Sequence, residues 1–220
     1  LGLGRMTNML ASVPNFDYRA EGVPLVDLKL VDLPAEDLLV VTAGNIERNN
    51  DAIKQSIKNN QEWIKRTMEA NNLEAAGPLR IITTDFGAER YAFDVAVPVR
   101  RKGSSAPAAA AAPAAEGEDK DAVEAATPAP AFPVAAQGEP LKVKIPDGAP
   151  VQYLRTEPRR SAFASYTGYM AELDAVRNSL RAWSLTHGHE VTDRPFEIWK
   201  GGLDKSFTAD GSYDVFWAVK

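Results

Sequence analysis

The sequence predicts an α+β fold built from a duplicated strand–helix–strand–strand module, with two antiparallel sheets and one long helix on each. Two observations predict it. Each half of the chain has the same order of elements: strand, turn, strand, helix, strand and strand. Matched residues also recur at nearly constant spacing, 124 positions apart for Pro34/Pro158 and Gly44/Gly168, and 120 apart for Trp63/Trp183 and for residues 93–99 and 213–219.

The first half shows strand and helix patterns in clear alternation. Residues 23–33 and 38–42 predict strands on either side of a turn at Pro34. Residues 47–72 predict a long helix, because apolar side chains recur at helical spacing: Ile46, Ile53, Ile57, Ile64 and Met68. Two further strands are expected at residues 79–84 and 91–99.

The second half repeats these patterns after a change in composition. Strands are expected at residues 141–145, 150–155, 162–166, 194–199 and 213–219. A helix is expected at residues 169–187, with an apolar stripe of Met170, Leu173, Val176, Leu180 and Trp183.

The chain divides into four segments by composition. Residues 1–22 form a lead-in, 23–100 the first half, 101–138 a flexible linker rich in Ala and Pro, and 139–220 the second half. The linker has almost no large apolar side chains, so it cannot bury enough surface to offset the entropy of ordering. Because the chain starts at Leu1 without a methionine, we expect a fragment or a processed product. The apolar residues of the lead-in indicate packing against a missing upstream domain.

Composition excludes several classes of function. The chain has 220 residues, 45% of them hydrophobic, and a net charge of −5 without a basic stripe, which argues against direct contact with nucleic acid. No cysteine is present, and no apolar run is long enough to form a transmembrane segment. His187 and His189 do not share a helical face, so we expect them to complement the end of a helix. We expect no metal and no cofactor.

Residues 194–199 carry the most informative pattern. On a strand, Phe196 and Ile198 point to one side and Glu197 and Trp199 to the other. The first pair resembles core, which places Glu197 on the opposite surface, shared between the halves. A carboxylate there either stays solvated or attracts a cation, since burying it alone is costly. Its counterpart in the first half is expected at Arg80, so the carboxylate is not repeated.

These residues resemble a known family. The segments Tyr166-Thr167-Gly168-Tyr169, Arg194-Pro195-Phe196-Glu197-Ile198-Trp199 and Tyr213-Asp214-Val215-Phe216-Trp217 are similar to GyrI-like small-molecule-binding domains, the effector-binding domains of some bacterial transcription activators. The resemblance covers residues 23–220, with the linker as an insertion. The sequence departs from the family at the start of the second helix, where Gly168-Tyr169-Met170 stands in place of the family's Gly-Pro-Tyr. The lead-in also resembles the joint between a START-like polyketide-cyclase domain and a GyrI-like domain.

The resemblance implies a ligand cleft between the halves. It implies Glu197 as the contact for a hydrophobic or cationic amphipathic ligand, with aromatic walls from Tyr166, Trp199, Phe216 and Tyr169.

Three functions stay open after the sequence. The chain could bind a small molecule, without contacting nucleic acid itself. It could hydrolyse reactive aromatic natural products with Glu197 as general base, which is less favoured because only one carboxylate is placed and no catalytic residue is assigned. It could be a structural or partner-interaction protein, which a cleft filled by the chain's own side chains would favour.

Overall fold

The computed structural model describes residues 25–104 and 130–220, so the lead-in and most of the predicted linker lie outside the described residues. In the first half the elements are β1 (Leu25–Leu33), β2 (Asp37–Glu47), α1 (Asn50–Ala70), β3 (Leu73–Ala75), β4 (Arg80–Phe86) and β5 (Arg90–Arg101). In the second they are β6 (Val151–Arg155), β7 (Arg159–Thr167), a 3₁₀ turn (Met170–Glu172), α2 (Leu173–Thr186), β8 (Phe196–Trp199), α3 (Gly202–Lys205) and β9 (Ser212–Ala218).

The strands form one continuous antiparallel sheet. Its order is β1-β7-β9-β8-β4-β5-β2-β6, and β3 pairs with β5. The prediction of two separate sheets was wrong, because β4 and β8 pair with each other, with Ile81 opposite Glu197. This pairing satisfies the backbone donors and acceptors that two separate sheets would leave exposed at their edges.

The strand order follows the same pattern from either end of the sheet: the opening strand of one half is followed by three strands of the opposite half. Strand β1 of the first half lies beside β7 of the second, and β6 of the second half lies beside β2 of the first. The opening strand of each half therefore pairs with a strand of the other half. The predicted strand at residues 141–145 is instead irregular, although Leu141 is buried in the core.

Both long helices cover the same face of the sheet, which we call the helix face. Helix α1 begins after Asn49, whose side chain accepts a hydrogen bond from the Ala52 N–H at 2.7 Å, an ordinary N-cap. Its predicted stripe is buried at Ile53, Ile57 and Ile64. Buried residues of α2 are Leu173, Val176, Arg177, Leu180, Trp183 and Ser184. Within the described ranges, no helix is long and apolar enough to cross a membrane.

The opposite face of the sheet, which we call the back face, is partly buried. It holds a separate apolar cluster of Val31, Leu33, Phe163, Phe196, Ile198 and Phe216. Phe132 packs on this cluster, with its ring 5.1 Å from that of Phe163. The neighbouring Ala131 N–H donates to Asp214 Oδ2 at 2.6 Å. The end of the segment predicted as linker therefore covers the back face.

Candidate functional site

Glu197 lies at the centre of the sheet and faces the helices. It stands between Ile81 on β4 and Val215 on β9, and both of these belong to the helix-face core. Residues directly opposite each other in an antiparallel pair point to the same side. The alternation predicted for β8 therefore holds, but its assignment was wrong: Glu197 and Trp199 face the helices, and Phe196 and Ile198 face the back.

The sheet register also corrects the counterpart of Glu197. Ile81 pairs with Val95 as Glu197 pairs with Val215, and Val95 and Val215 are 120 positions apart in the matched final strands. By this register Ile81, rather than Arg80, pairs with β5 as Glu197 pairs with β9. Arg80, the expected counterpart, is one residue away along the strand and so lies on the other face.

Glu197 forms a buried ion pair with Arg177. The side chains are 0% and 4% exposed, and Arg177 Nε donates to Glu197 Oε1 at 2.6 Å. Arg177 belongs to α2, within the stripe that packs on the sheet, so the helix carries the guanidinium to the carboxylate. The cation that an isolated carboxylate would attract is thus supplied by the chain itself.

Arg177 has further partners on the first half. Its Nη2 donates to the Tyr91 hydroxyl at 3.3 Å, and that hydroxyl lies 2.8 Å from Thr83 Oγ1. The guanidinium carbon is 5.2 Å from the ring centre of Phe86. These contacts to β4 and β5 fix Arg177 in place.

Burial and charge shift the ionisation of this cluster. Burial raises the pKa of Tyr91 to about 12, although the Arg177 charge opposes the shift. Burial by itself lowers the pKa of Arg177, but the Glu197 carboxylate and Tyr91 outweigh it, so the net direction is upward. Arg177 therefore stays a cation at any ordinary pH.

Two polar atoms of the pair itself, Glu197 Oε2 and Arg177 Nη1, have no hydrogen-bond partner among the described residues, and both are buried. Trp199 Nε1, on the same strand as Glu197, is also buried without a partner there. Buried polar groups are almost always satisfied, and one left unsatisfied costs about 1–3 kcal/mol. Two such atoms in one ion pair indicate a place where another molecule supplies the partners.

Aromatic rings line the same face beside Glu197. Trp199 meets Tyr213 edge to face with ring centres 5.7 Å apart, and Tyr166 stacks on Tyr213 at 5.8 Å. The Tyr166 hydroxyl donates to the Glu172 carboxylate, and burial together with this bond raises the pKa of Tyr166. Trp199 is also covered by Phe207, with ring centres 6.0 Å apart.

A cavity of about 420 Å³ opens beside α1 on the helix face. Its lining includes Ile64, Met68, Leu79 and Val97. The Leu79 carbonyl accepts the backbone N–H of Trp199 at 2.9 Å, so the cavity adjoins the strand that carries Glu197. Glu197 itself does not line this cavity.

The structure brings together three of the five predicted ligand-binding residues. Glu197, Trp199 and Tyr166 share the helix face. Phe216 lies in the back-face cluster. Tyr169 is 50% exposed at the entrance to α2, and its carbonyl lies 3.5 Å from the Tyr166 hydroxyl.

Sequence reasoning missed Arg177, Tyr91 and Phe86. A signal for Arg177 was present, since it lies 120 positions after Ile57, a member of the α1 stripe. A charged residue at a position where the other half buries isoleucine indicates a buried partner of opposite charge. Tyr91 and Phe86 could not be found this way, because they belong to the half that lacks Glu197. In the described part of the chain, no group of three or more His, Cys, Asp or Glu could hold a metal ion.

Solved structures share this architecture at low sequence identity. The cryo-EM structure of an EcmrR–DNA complex in EcmrR-RPo aligns with a TM-score of 0.56 and 13% identity, over 99% of this chain and 64% of that one. The crystal structure of the EcmrR C-terminal domain aligns with a TM-score of 0.54 and 13% identity, over 88% of this chain and 97% of that one. The crystal structure of a hydrolase encoded by lin2189 from Listeria innocua aligns with a TM-score of 0.52 and 10% identity, over 88% of this chain and 92% of that one.

These neighbours define the class of fold. They support a GyrI-like effector-binding fold, as the sequence resemblance predicted. At these identities the likeness shows the fold alone. The chain spans 64% of the length of the EcmrR molecule in the DNA complex. No protein-family model and no curated protein sequence matches the chain.

Proposed function

We propose that the chain binds a small amphipathic molecule, hydrophobic or cationic, on the helix face, with Glu197 as the charged contact. The observation that carries this proposal is the buried Glu197–Arg177 pair, whose Oε2 and Nη1 atoms have no partner among the described residues. Polar groups left unsatisfied in a buried region are typical of binding sites. The GyrI-like effector-binding fold supports the proposal.

The apolar part of the ligand would lie against Trp199 and Tyr166. At present Phe207 covers Trp199, and this segment is fastened to α1 by an ion pair between Lys54 and Asp204 at 2.7 Å. Both side chains of that pair are substantially exposed, so it contributes little to keeping the segment closed. A ligand ring would take the place of Phe207 after the segment moves.

We also propose that residues 23–100 and 139–220 are the two copies of a duplicated module. The strand order, which is the same from either end of the sheet, supports this. So does the central pair of Ile81 and Glu197, which correspond to each other and lie side by side.

The hydrolase alternative uses the same carboxylate. Glu197 Oε2 is the oxygen that could accept a proton from water, since Arg177 occupies Oε1. That ion pair weakens the case, because a carboxylate held by a cation is a poorer base. The third alternative, a structural or partner-interaction protein, is favoured by the way Arg177 fills the space beside Glu197.

The test is a titration followed by tryptophan fluorescence. The full chain, Glu197→Gln and Glu190→Gln are titrated with hydrophobic and cationic amphipathic aromatic compounds. Glu190 is the matched control, because it is an exposed glutamate paired with Lys220. We expect saturable binding that weakens by about 1–3 kcal/mol in Glu197→Gln and is unchanged in Glu190→Gln.

Other outcomes separate the alternatives. Appearance of a product that Glu197→Gln does not form would favour the hydrolase. Absence of saturable binding to all three proteins would contradict the proposed site and favour the structural alternative.

A further inference from the structure

The buried cluster around Glu197 is electrically balanced without a ligand. One carboxylate meets one guanidinium, and neither is more than 4% exposed. The side chains that hydrogen-bond to this pair or stack on it are neutral: the Tyr91 hydroxyl and the rings of Phe86 and Tyr91. A cationic ligand would therefore add an uncompensated positive charge in a region from which water is excluded.

Arg177 cannot easily give up its place to such a cation. Its pKa is raised, so it does not become neutral. Its guanidinium is held by Glu197 Oε1, by the Tyr91 hydroxyl and by two aromatic rings. Moving it out would take one hydrogen bond from the buried Tyr91 hydroxyl and a cation from two ring faces, in addition to the cost of transferring the charge.

We propose that the Glu197–Arg177 pair selects an uncharged aromatic ligand that carries both a hydrogen-bond donor and an acceptor, and that Arg177 determines this specificity. The inference rests on the proposed function and narrows its ligand class. The unsatisfied atoms have the matching character. Glu197 Oε2 accepts a hydrogen bond, whereas Arg177 Nη1 and Trp199 Nε1 donate. A planar amide offers both a donor and an acceptor without adding charge.

Three planar compounds of nearly equal shape test the inference by calorimetric titration. Naphthamide is neutral, naphthamidine is a cation and naphthoate is an anion. The wild-type chain should bind naphthamide at least about tenfold more tightly than either charged compound, which corresponds to about 1.4 kcal/mol. Tighter binding of naphthamidine than of naphthamide would overturn the inference while leaving the proposed function standing.

Variants then change the charge of the site one unit at a time. In Arg177→Met the preference should move to naphthamidine, because Glu197 is left without its cation. In Glu197→Gln it should move to naphthoate, because Arg177 is left without its anion. An unchanged order of affinities in both variants would contradict the role of the pair in selecting charge.

The double variant Arg177→Met/Glu197→Gln keeps the test decisive if either single variant fails to fold. It has no net charge at the site, as in the wild type, but lacks both charged groups. We expect its preference for naphthamide over naphthamidine to fall to less than about threefold. A preserved tenfold preference would show that other residues set it. Failure of all three compounds to bind any folded protein would count against the proposed function itself.

Discussion

The two halves of the molecule fill the same central place with opposite chemistry. In the first half the helix contributes Ile57 and the strand contributes Ile81, and both are completely buried in one apolar core. Under the proposed duplication, the corresponding positions in the second half are Arg177 and Glu197, which are also buried but are charged and paired. The correspondence follows from the 120-residue spacing of the helices and from the sheet register.

This difference shows that the fold does not require charge at its centre. Two isoleucines occupy the place in one half without any polar group. A buried ion pair gains little over apolar side chains of similar volume, because desolvation offsets the attraction between the charges. This supports the proposal that the pair in the second half serves recognition rather than stability, as do the unsatisfied atoms of the pair.

Removing one partner of the pair should have the largest effect. Arg177→Met leaves the Glu197 carboxylate buried without a cation, and we expect the free energy of unfolding to fall by about 3–5 kcal/mol. Urea denaturation followed by circular dichroism measures it. Ile57→Met is the matched control in the other half, where a swap between apolar side chains should cost less than about 1.5 kcal/mol. Equal losses in the two variants would contradict a buried, unpaired charge as the cause.

Making the second half apolar like the first should reverse most of this loss. We expect Arg177→Met/Glu197→Ile to lie within about 1 kcal/mol of the wild type, because both charges are removed together. With the single variants, this gives a double-mutant cycle, and we expect a coupling energy above about 2 kcal/mol. Additive losses would mean that the two side chains act independently, and would break the comparison between the halves.

The sequence predicted the helices and most of the strands, because their signals are local. The stripe of α1 was correct at Ile53, Ile57 and Ile64, and the ends of both helices were within about four residues. The continuity of the sheet could not be predicted in this way. It depends on β4 pairing with β8, which are more than a hundred residues apart in sequence and carry no local sign of each other.

The candidate site was predicted in part. Glu197 and Trp199 were correctly placed on one face of β8, but alternation does not say which face a helix covers. Phe196 and Ile198 resembled the core facing the helices because they are apolar. They are buried instead on the back face, in the cluster that Phe132 covers. Sequence reasoning expected each half to bury only one face of its sheet, whereas apolar side chains are buried on both faces. The carboxylate of Glu197 is tolerated on the helix face because Arg177 pairs with it.

The smallest expected effect concerns Tyr91, the first-half residue that contacts Arg177. Because burial raises its pKa to about 12, the folded chain holds the phenol proton more tightly than the unfolded chain, whose tyrosines titrate near about pH 10. This contribution to stability is complete below about pH 10 and is lost as the pH rises towards 12, by at most about 1.4 kcal/mol per pH unit. Burial also raises the pKa of Tyr153, Tyr166 and Tyr213, so the wild type alone cannot isolate it.

Comparison with Tyr91→Phe isolates the contribution of this residue. Urea denaturation of both proteins from about pH 8 to 11.5 should show the wild type losing stability more steeply above about pH 10. At neutral pH the variant should be less stable by about 1 kcal/mol, since Arg177 and Thr83 each lose a hydrogen-bond partner. Parallel curves for the two proteins would mean that Tyr91 ionises as easily in the folded chain as in the unfolded one. The hydroxyl would then not be buried against Arg177, and the charged centre of the second half would be more open than the isoleucine centre of the first.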